Sequence, residues 1–139
     1  MRHKLLVPTL ALFALIITAC STAFTVEPEP VGNPELGQEV YEDRNRTRCT
    51  QCHTLDGSDI RGGPSLLGIS ERAGDRIPEM SAVDYLQQSL LDPSAYIVEG
   101  FEDKMKMYQV VDPDEVDFLL PGMLTQEELD DLTAFLLTQ

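Results

Sequence analysis

Cys49-Thr50-Gln51-Cys52-His53 is the stretch on which the reading of this 139-residue chain turns. On a tight helical turn, two thiols three positions apart can each add to one of the two vinyl groups of a single porphyrin. The adjacent imidazole is then carried under the iron as an axial ligand. Other uses of the same residues fit less well. A structural zinc site needs four ligands, and this string supplies three; the only other histidine is His3, near the N-terminus. A thioredoxin-like pair belongs after a strand in a βαβ unit, whereas the flanks here read as helix and Gly-rich loop. A Cys49–Cys52 disulfide would close a very small loop and stabilise little. Cys-x-x-Cys-His is the attachment string of c-type haem, and one string implies one haem.

The third cysteine, Cys20, belongs to an address. Arg2, His3 and Lys4 precede an apolar run from Leu5 to Ile17, and Thr18-Ala19 sets small residues before Cys20. That is a signal-peptide pattern. It resembles a bacterial lipoprotein signal, in which residues 1–19 are removed and Cys20 is lipidated. An uncleaved anchor over Leu5–Val26, about long enough to span a bilayer, and plain secretion are the alternatives. Residues 20–33, with Pro28 and Pro30, read as a flexible tether that reaches on the order of 40 Å in a polyproline-like state. The domain expected over 34–139 is thus exported, lipid-anchored and held on the periplasmic side of a bacterial membrane. Once the signal is gone, His53 is the sole histidine. Bis-histidine ligation within the chain is then excluded, and the sixth iron position falls to a methionine, to something weaker, or stays open.

Net charge is −14. Residues 1–19 hold Arg2 and Lys4 and no acid, so their removal leaves 8 cationic against 24 anionic side chains, or −16. Phosphate backbones would be repelled, which excludes nucleic acid as a partner. The acidity serves solubility, or steering toward a basic partner. It is uneven: Arg44, Arg46, Arg48, Arg61, Arg72 and Arg76 cluster together, and no Lys or Arg follows Lys106.

Outward from the haem string, the pattern is helical. Asn33-Pro34 reads as an N-cap with a first-turn Pro, and Leu36, Gly37, Val40 and Tyr41 share one helical face. Thr125-Gln126-Glu127-Glu128 is a capping box, followed by Leu129, Leu132, Phe135 and Leu136 on one face. Ser81 caps a middle helix with Val83, Leu86 and Leu90 on one side, stopped by Asp92-Pro93.

With these residues in place, the chain from Asn33 to Gln139 resembles the class I, single-haem cytochromes c. The resemblance implies an all-α fold, three to five helices around one covalently bound haem c, with the terminal helices crossing so that Gly37 and Tyr41 meet Leu132 and Phe135. Gly62-Gly63-Pro64-Ser65-Leu66 is similar to the family's Gly-Pro-x-Leu loop. By that likeness, the Pro64 carbonyl accepts from His53 Nδ1–H, fixing the ring and raising its basicity. Gly100-Phe101 stands at the family's distance before a distal methionine, Met105, and Tyr108 fits the aromatic after it. Met105 is followed by Lys106 where the family has Pro, so Met107 and Met123 stay as alternatives, as does no methionine at all. Met80 reads as core or surface. The stretch Gln109–Gly122 is longer than the family leads one to expect.

His/Met ligation would raise the haem potential and leave no open site. The resemblance therefore implies a single-electron carrier, not an enzyme, with no small-molecule substrate. Expected partners are membrane redox complexes: a quinol-oxidising complex, a terminal oxidase or a photosynthetic reaction centre. The tethered single-haem arrangement is similar to the monohaem lipoprotein subunit of alternative complex III. The alternative is an open or weakly capped haem acting in gas sensing or peroxide reduction.

Overall fold

The computed structural model describes residues 32–59 and 62–139. The signal reading of residues 1–19, lipidation at Cys20, the tether up to residue 31, and Arg61 lie outside the described residues.

Helix α1 (Pro34–Glu42) starts where Asn33 Oδ1 accepts from the backbone N–H groups of Glu35 and Leu36, satisfying donors that a first helical turn leaves unpaired. Helix α4 (Gln126–Leu136) starts on a complete capping box: Glu128 N–H donates to Thr125 Oγ1, and Thr125 N–H donates to Glu128 Oε2. The two helices pack directly on each other. A Cβ on Gly37 would stand 1.9 Å from the Asp131 carbonyl oxygen and 2.8 Å from Phe135 Cβ, so only glycine lets the backbones approach this closely. Beside that contact, the Tyr41 and Phe135 rings lie 5.5 Å apart, within the range of favourable aromatic pairs.

Between them, α2 (Ile69–Arg72) continues into a 3₁₀ turn at Ala73–Asp75. Helix α3 (Ala82–Leu91) is capped by Ser81 Oγ, which accepts from Asp84 N–H, and it ends before Asp92-Pro93. A parallel pair of two-residue strands, β1 (Gln109–Val110) and β2 (Met123–Leu124), joins Gln109 to Met123 and Val110 to Leu124. The architecture is thus all-α with this one short addition, which helical periodicity had no means to show. The core gathers Val40 and Tyr41 of α1, Ile69, Ala73, Leu86 and Leu90, and the α4 residues Leu129, Leu132, Phe135 and Leu136.

Two side chains depart from the sequence reading. Leu36 is 43% exposed, because Gly37, and not the residue before it, faces α4. On α3, Val83 is only half-buried, while Tyr85 is buried beside Leu86 and Leu90. Tyr85 meets Tyr96 edge-on at 5.8 Å, a contact between segments that α3 taken alone does not reveal.

Candidate functional site

The chain between α1 and the haem string is shaped by Asp43, whose Oδ1 accepts from the backbone N–H groups of Asn45 and Arg46. Arg48 then takes a left-handed conformation, φ 63°, and releases the chain into a 3₁₀ turn at Cys49–Gln51. Cys52 and His53 both donate their N–H groups to the Cys49 carbonyl, at 3.1 and 3.0 Å. This is the tight turn that the spacing asks for. It sets Cys49, Cys52 and His53 on the wall of one cavity of about 480 Å³.

His53 is held on the far side of its ring. Nδ1 lies 2.8 Å from the Pro64 carbonyl oxygen. A carbonyl can only accept, so Nδ1 carries the proton and Nε2 keeps its lone pair. Burial pushes the imidazole's pKa down, against the opposing pull of the Pro64 carbonyl, so the ring is neutral at pH 7. Gly63 brings the loop in: its N–H donates to the Cys52 carbonyl at 3.0 Å. A Cβ there would stand 2.7 Å from His53 Cε1. Tyr41 Oη adds a hydrogen bond to the His53 carbonyl.

Both thiols are free, Cys49 half-buried and Cys52 exposed. Burial raises the Cys49 pKa, keeping it a thiol. Above them, Tyr108 donates its hydroxyl to the Thr47 carbonyl and its backbone N–H to the Leu90 carbonyl. Burial pushes the phenol's pKa up, so it stays a donor.

The other walls are largely apolar: Leu66, Ile69, Tyr85, Leu90, Leu132 and Leu136 among them. Met105 and Met107 both line the cavity, 38% and 61% exposed. Met123 is in β2 and Met80 packs on the core, neither on the cavity wall. Two residues that the sequence reading treated only as part of a basic stretch also stand here. Arg72 donates to the carbonyls of Leu67 and Ser65, closing the loop that carries Pro64. Arg76 has its Nε buried with no acceptor. Their spacing of four, one helical turn, is the signal that could have marked them.

These residues fit a covalent haem. The pair of thiols, a neutral imidazole with a free Nε2, an apolar cavity and a thioether loop suit the porphyrin and its iron. The orphaned Arg76 donor suits one of its carboxylates. Fold and site together define a small, mostly helical haem protein with one attachment string. Comparison with known proteins names the group. The sequence model of the cytochrome c family matches residues 34–139. The chain is 31% identical over 83 residues to "Cytochrome c 2.1" of Caenorhabditis elegans, covering 49% of this chain and 68% of that protein. It is 28% identical over 120 residues to "Cytochrome c" of Sesamum indicum, covering 77% of this chain and 90% of the relative. The chain belongs to the cytochrome c family. It is a haem-based electron carrier, and its cofactor is one covalent c-type haem.

Proposed function

We propose that this cytochrome c is a membrane-tethered single-electron relay in a respiratory or photosynthetic chain. Cys49 and Cys52 would hold the haem, His53 and Met105 would ligate its iron, and Cys20 would carry the lipid anchor. The observation that carries the site is the His53 ring, pinned through Nδ1 to the Pro64 carbonyl on a cavity that Met105 also lines. Cys49 and Cys52, both free thiols on the cavity wall, would hold the porphyrin through thioether bonds. The haem supplies the one-electron ferric/ferrous couple. Every other part of the function belongs to this chain's residues. Pro64 holds the His53 ring in one orientation and strengthens it as a donor. The Met105 thioether, a soft ligand, favours ferrous iron and raises the potential. Arg76 answers a haem carboxylate. The apolar walls exclude water and disfavour the extra charge of the ferric state.

Between the two methionines on the cavity, Met105 is favoured by its lower exposure, 38% against 61% for Met107, and by its distance after Gly100-Phe101. The acidic surface and the tether suit a fixed relay beside a quinol-oxidising complex, as its subunit or docked partner. By resemblance, that role is the monohaem lipoprotein subunit of alternative complex III; a terminal oxidase or reaction centre would be served by the same features.

The test is the ferric absorption spectrum of the holoprotein beside its Met105→Ala and Met107→Ala variants. The parent should show the weak far-red band of sulfur-to-iron charge transfer, and only Met105→Ala should lose it. A band lost in Met107→Ala instead moves the ligand by two residues. A parent without the band, binding carbon monoxide readily when ferrous, overturns the carrier mechanism in favour of gas or peroxide chemistry.

A further inference from the structure

Tyr108 and the pair Pro121-Gly122 stand on the cavity wall. The chain between them leaves that wall and returns to it. Its base is closed by β1 and β2, with Gln109 N–H donating to the Gly122 carbonyl and Val111 N–H to the Leu124 carbonyl, each at 2.9 Å. Within the loop, Asp112 Oδ1 accepts from Asp114 N–H and caps a 3₁₀ turn at Pro113–Glu115. The backbone is therefore held by hydrogen bonds, yet it presents Phe118 at 69% exposure and Leu120 at 47%.

Neither side chain belongs to the cavity lining, so a haem would not cover them. Single exposed hydrophobics need no explanation, but these are not scattered. Among the described residues, eight large hydrophobics are exposed, and six of them fall between residues 97 and 120: Ile97, Met105, Met107, Val110, Phe118 and Leu120. The first three line the cavity. Apolar exposure thus runs along the chain from the haem cavity out to Phe118.

Charge decides what can cover it. Asp112, Asp114, Glu115 and Asp117 are all exposed around the loop, and no Lys or Arg follows Lys106. Of the cavity's cations, Arg46 is matched by Glu128 and Lys104 by Glu102. No ion pair among the described residues reaches the loop's four carboxylates. A second copy of this chain meeting it through the same loop would bring like charges together, and an anionic lipid surface would be repelled. What complements the loop is a protein face with Lys and Arg around an apolar recess.

We infer that the 111–120 loop is the docking surface for a redox protein of that description, with Phe118 seated in its recess. The inference rests on the carrier reading above. Because both ends of the loop are on the cavity wall, a partner that grips it is brought beside the haem. The carboxylates steer the encounter and Phe118 sets how long it lasts.

For the test, full-length holoprotein with benzoylphenylalanine in place of Phe118 is irradiated in the cells that make it, and the crosslinked product is identified by mass spectrometry. The expected product is a redox protein joined through a peptide rich in Lys and Arg. With that partner purified, one electron passes from ferrous cytochrome to the partner's oxidised centre, or back, and its rate is followed. Phe118→Ser should slow it about tenfold. Asp114→Asn/Glu115→Gln/Asp117→Asn, which leaves the Asp112 cap in place, should slow it at low salt and flatten its dependence on salt. Both variants should keep the parent's absorption spectrum and its reduction by dithionite. A crosslink to a second copy, to lipid or to nothing overturns the inference, as does transfer unchanged in both variants. The carrier reading stands or falls separately, on the far-red band.

Discussion

Gly63 approaches His53 so closely that the ring's position depends on the absence of one methyl group. Its φ is not in the left-handed region, so alanine is conformationally acceptable there. The obstacle is contact alone: a Cβ at 2.7 Å from His53 Cε1 and 3.0 Å from Nδ1. Either the ring rotates or the 62–66 loop retreats, and in both cases the Nδ1–Pro64 hydrogen bond is lost. Gly63→Ala should therefore lower the yield of haem-loaded protein several-fold and raise the potential of what forms, since a ring without its carbonyl partner is a weaker donor and stabilises ferric iron less. Haem content per protein and a redox titration would measure both; parental values in both would mean that Pro64 does not position the ring. At this scale much was legible in the sequence. The string at Cys49–His53 and the caps at Asn33, Ser81 and Thr125 each act on backbone atoms within a few residues, so local sequence carries them. Arg76 was not legible as a cavity residue, because a buried donor without an acceptor exists only once the walls around it are folded.

Among the described residues, one ion pair connects distant parts of the chain and ties the elements together. Arg46, in the loop after α1, donates to both oxygens of Glu128 in the first turn of α4, at 2.8 and 2.5 Å. Both side chains are largely buried, 19% and 21% exposed. Burial pushes the Glu128 pKa up, but the Arg46 guanidinium and the Thr125 N–H outweigh it and hold the carboxyl below its ordinary 4.5. The backbone N–H groups of Asn45 and Arg46 likewise hold Asp43 below 3.8. A carboxyl with a depressed folded pKa stabilises the fold above its unfolded pKa and loses that contribution as pH falls through the folded value. The clamp is thus fully present at pH 7 and is lost on acidification below about 4. Arg46→Gln should cost about 1.5–3 kcal/mol at pH 7, with the gap between parent and variant narrowing as the pH is lowered to 3. Denaturant unfolding of the holoproteins at the two pH values checks this; an equal gap at both would assign Arg46 a packing role only. The helices joined by this clamp were legible from their caps and faces. The clamp itself, and the pairing of β1 with β2, join residues far apart in sequence without any repeating pattern, so nothing local announces them.

For the molecule as a whole, the core and the haem cavity share their walls. Tyr41, Ile69, Tyr85, Leu90, Leu132 and Leu136 belong both to the buried core and to the cavity lining. A side chain of this size is stabilised by about 1.5–3 kcal/mol when fully buried. Left empty, the cavity would deprive all six of packing partners on one side, a loss that matters against a total of about 5–15 kcal/mol for an ordinary domain. The described part of the chain has only short helices to offset this, none longer than the 11 residues of α4, and isolated helices of that length are marginal in water. The haem is therefore part of the core. A Cys49→Ala/Cys52→Ala variant, unable to hold it covalently, should lose most of its helical circular dichroism and expand, while the α1–α4 pair keeps whatever residual helix remains, since Gly37, Phe135 and Asp131 meet away from the cavity lining. Far-ultraviolet circular dichroism with the hydrodynamic radius measures both. A compact variant with parental helix content would mean that α1, α3 and α4 fold by themselves and that the haem only fills a prepared space. The small number of aromatic residues, 6% with no Trp, favours the first outcome, because a chain poor in large rings has little else with which to fill its centre.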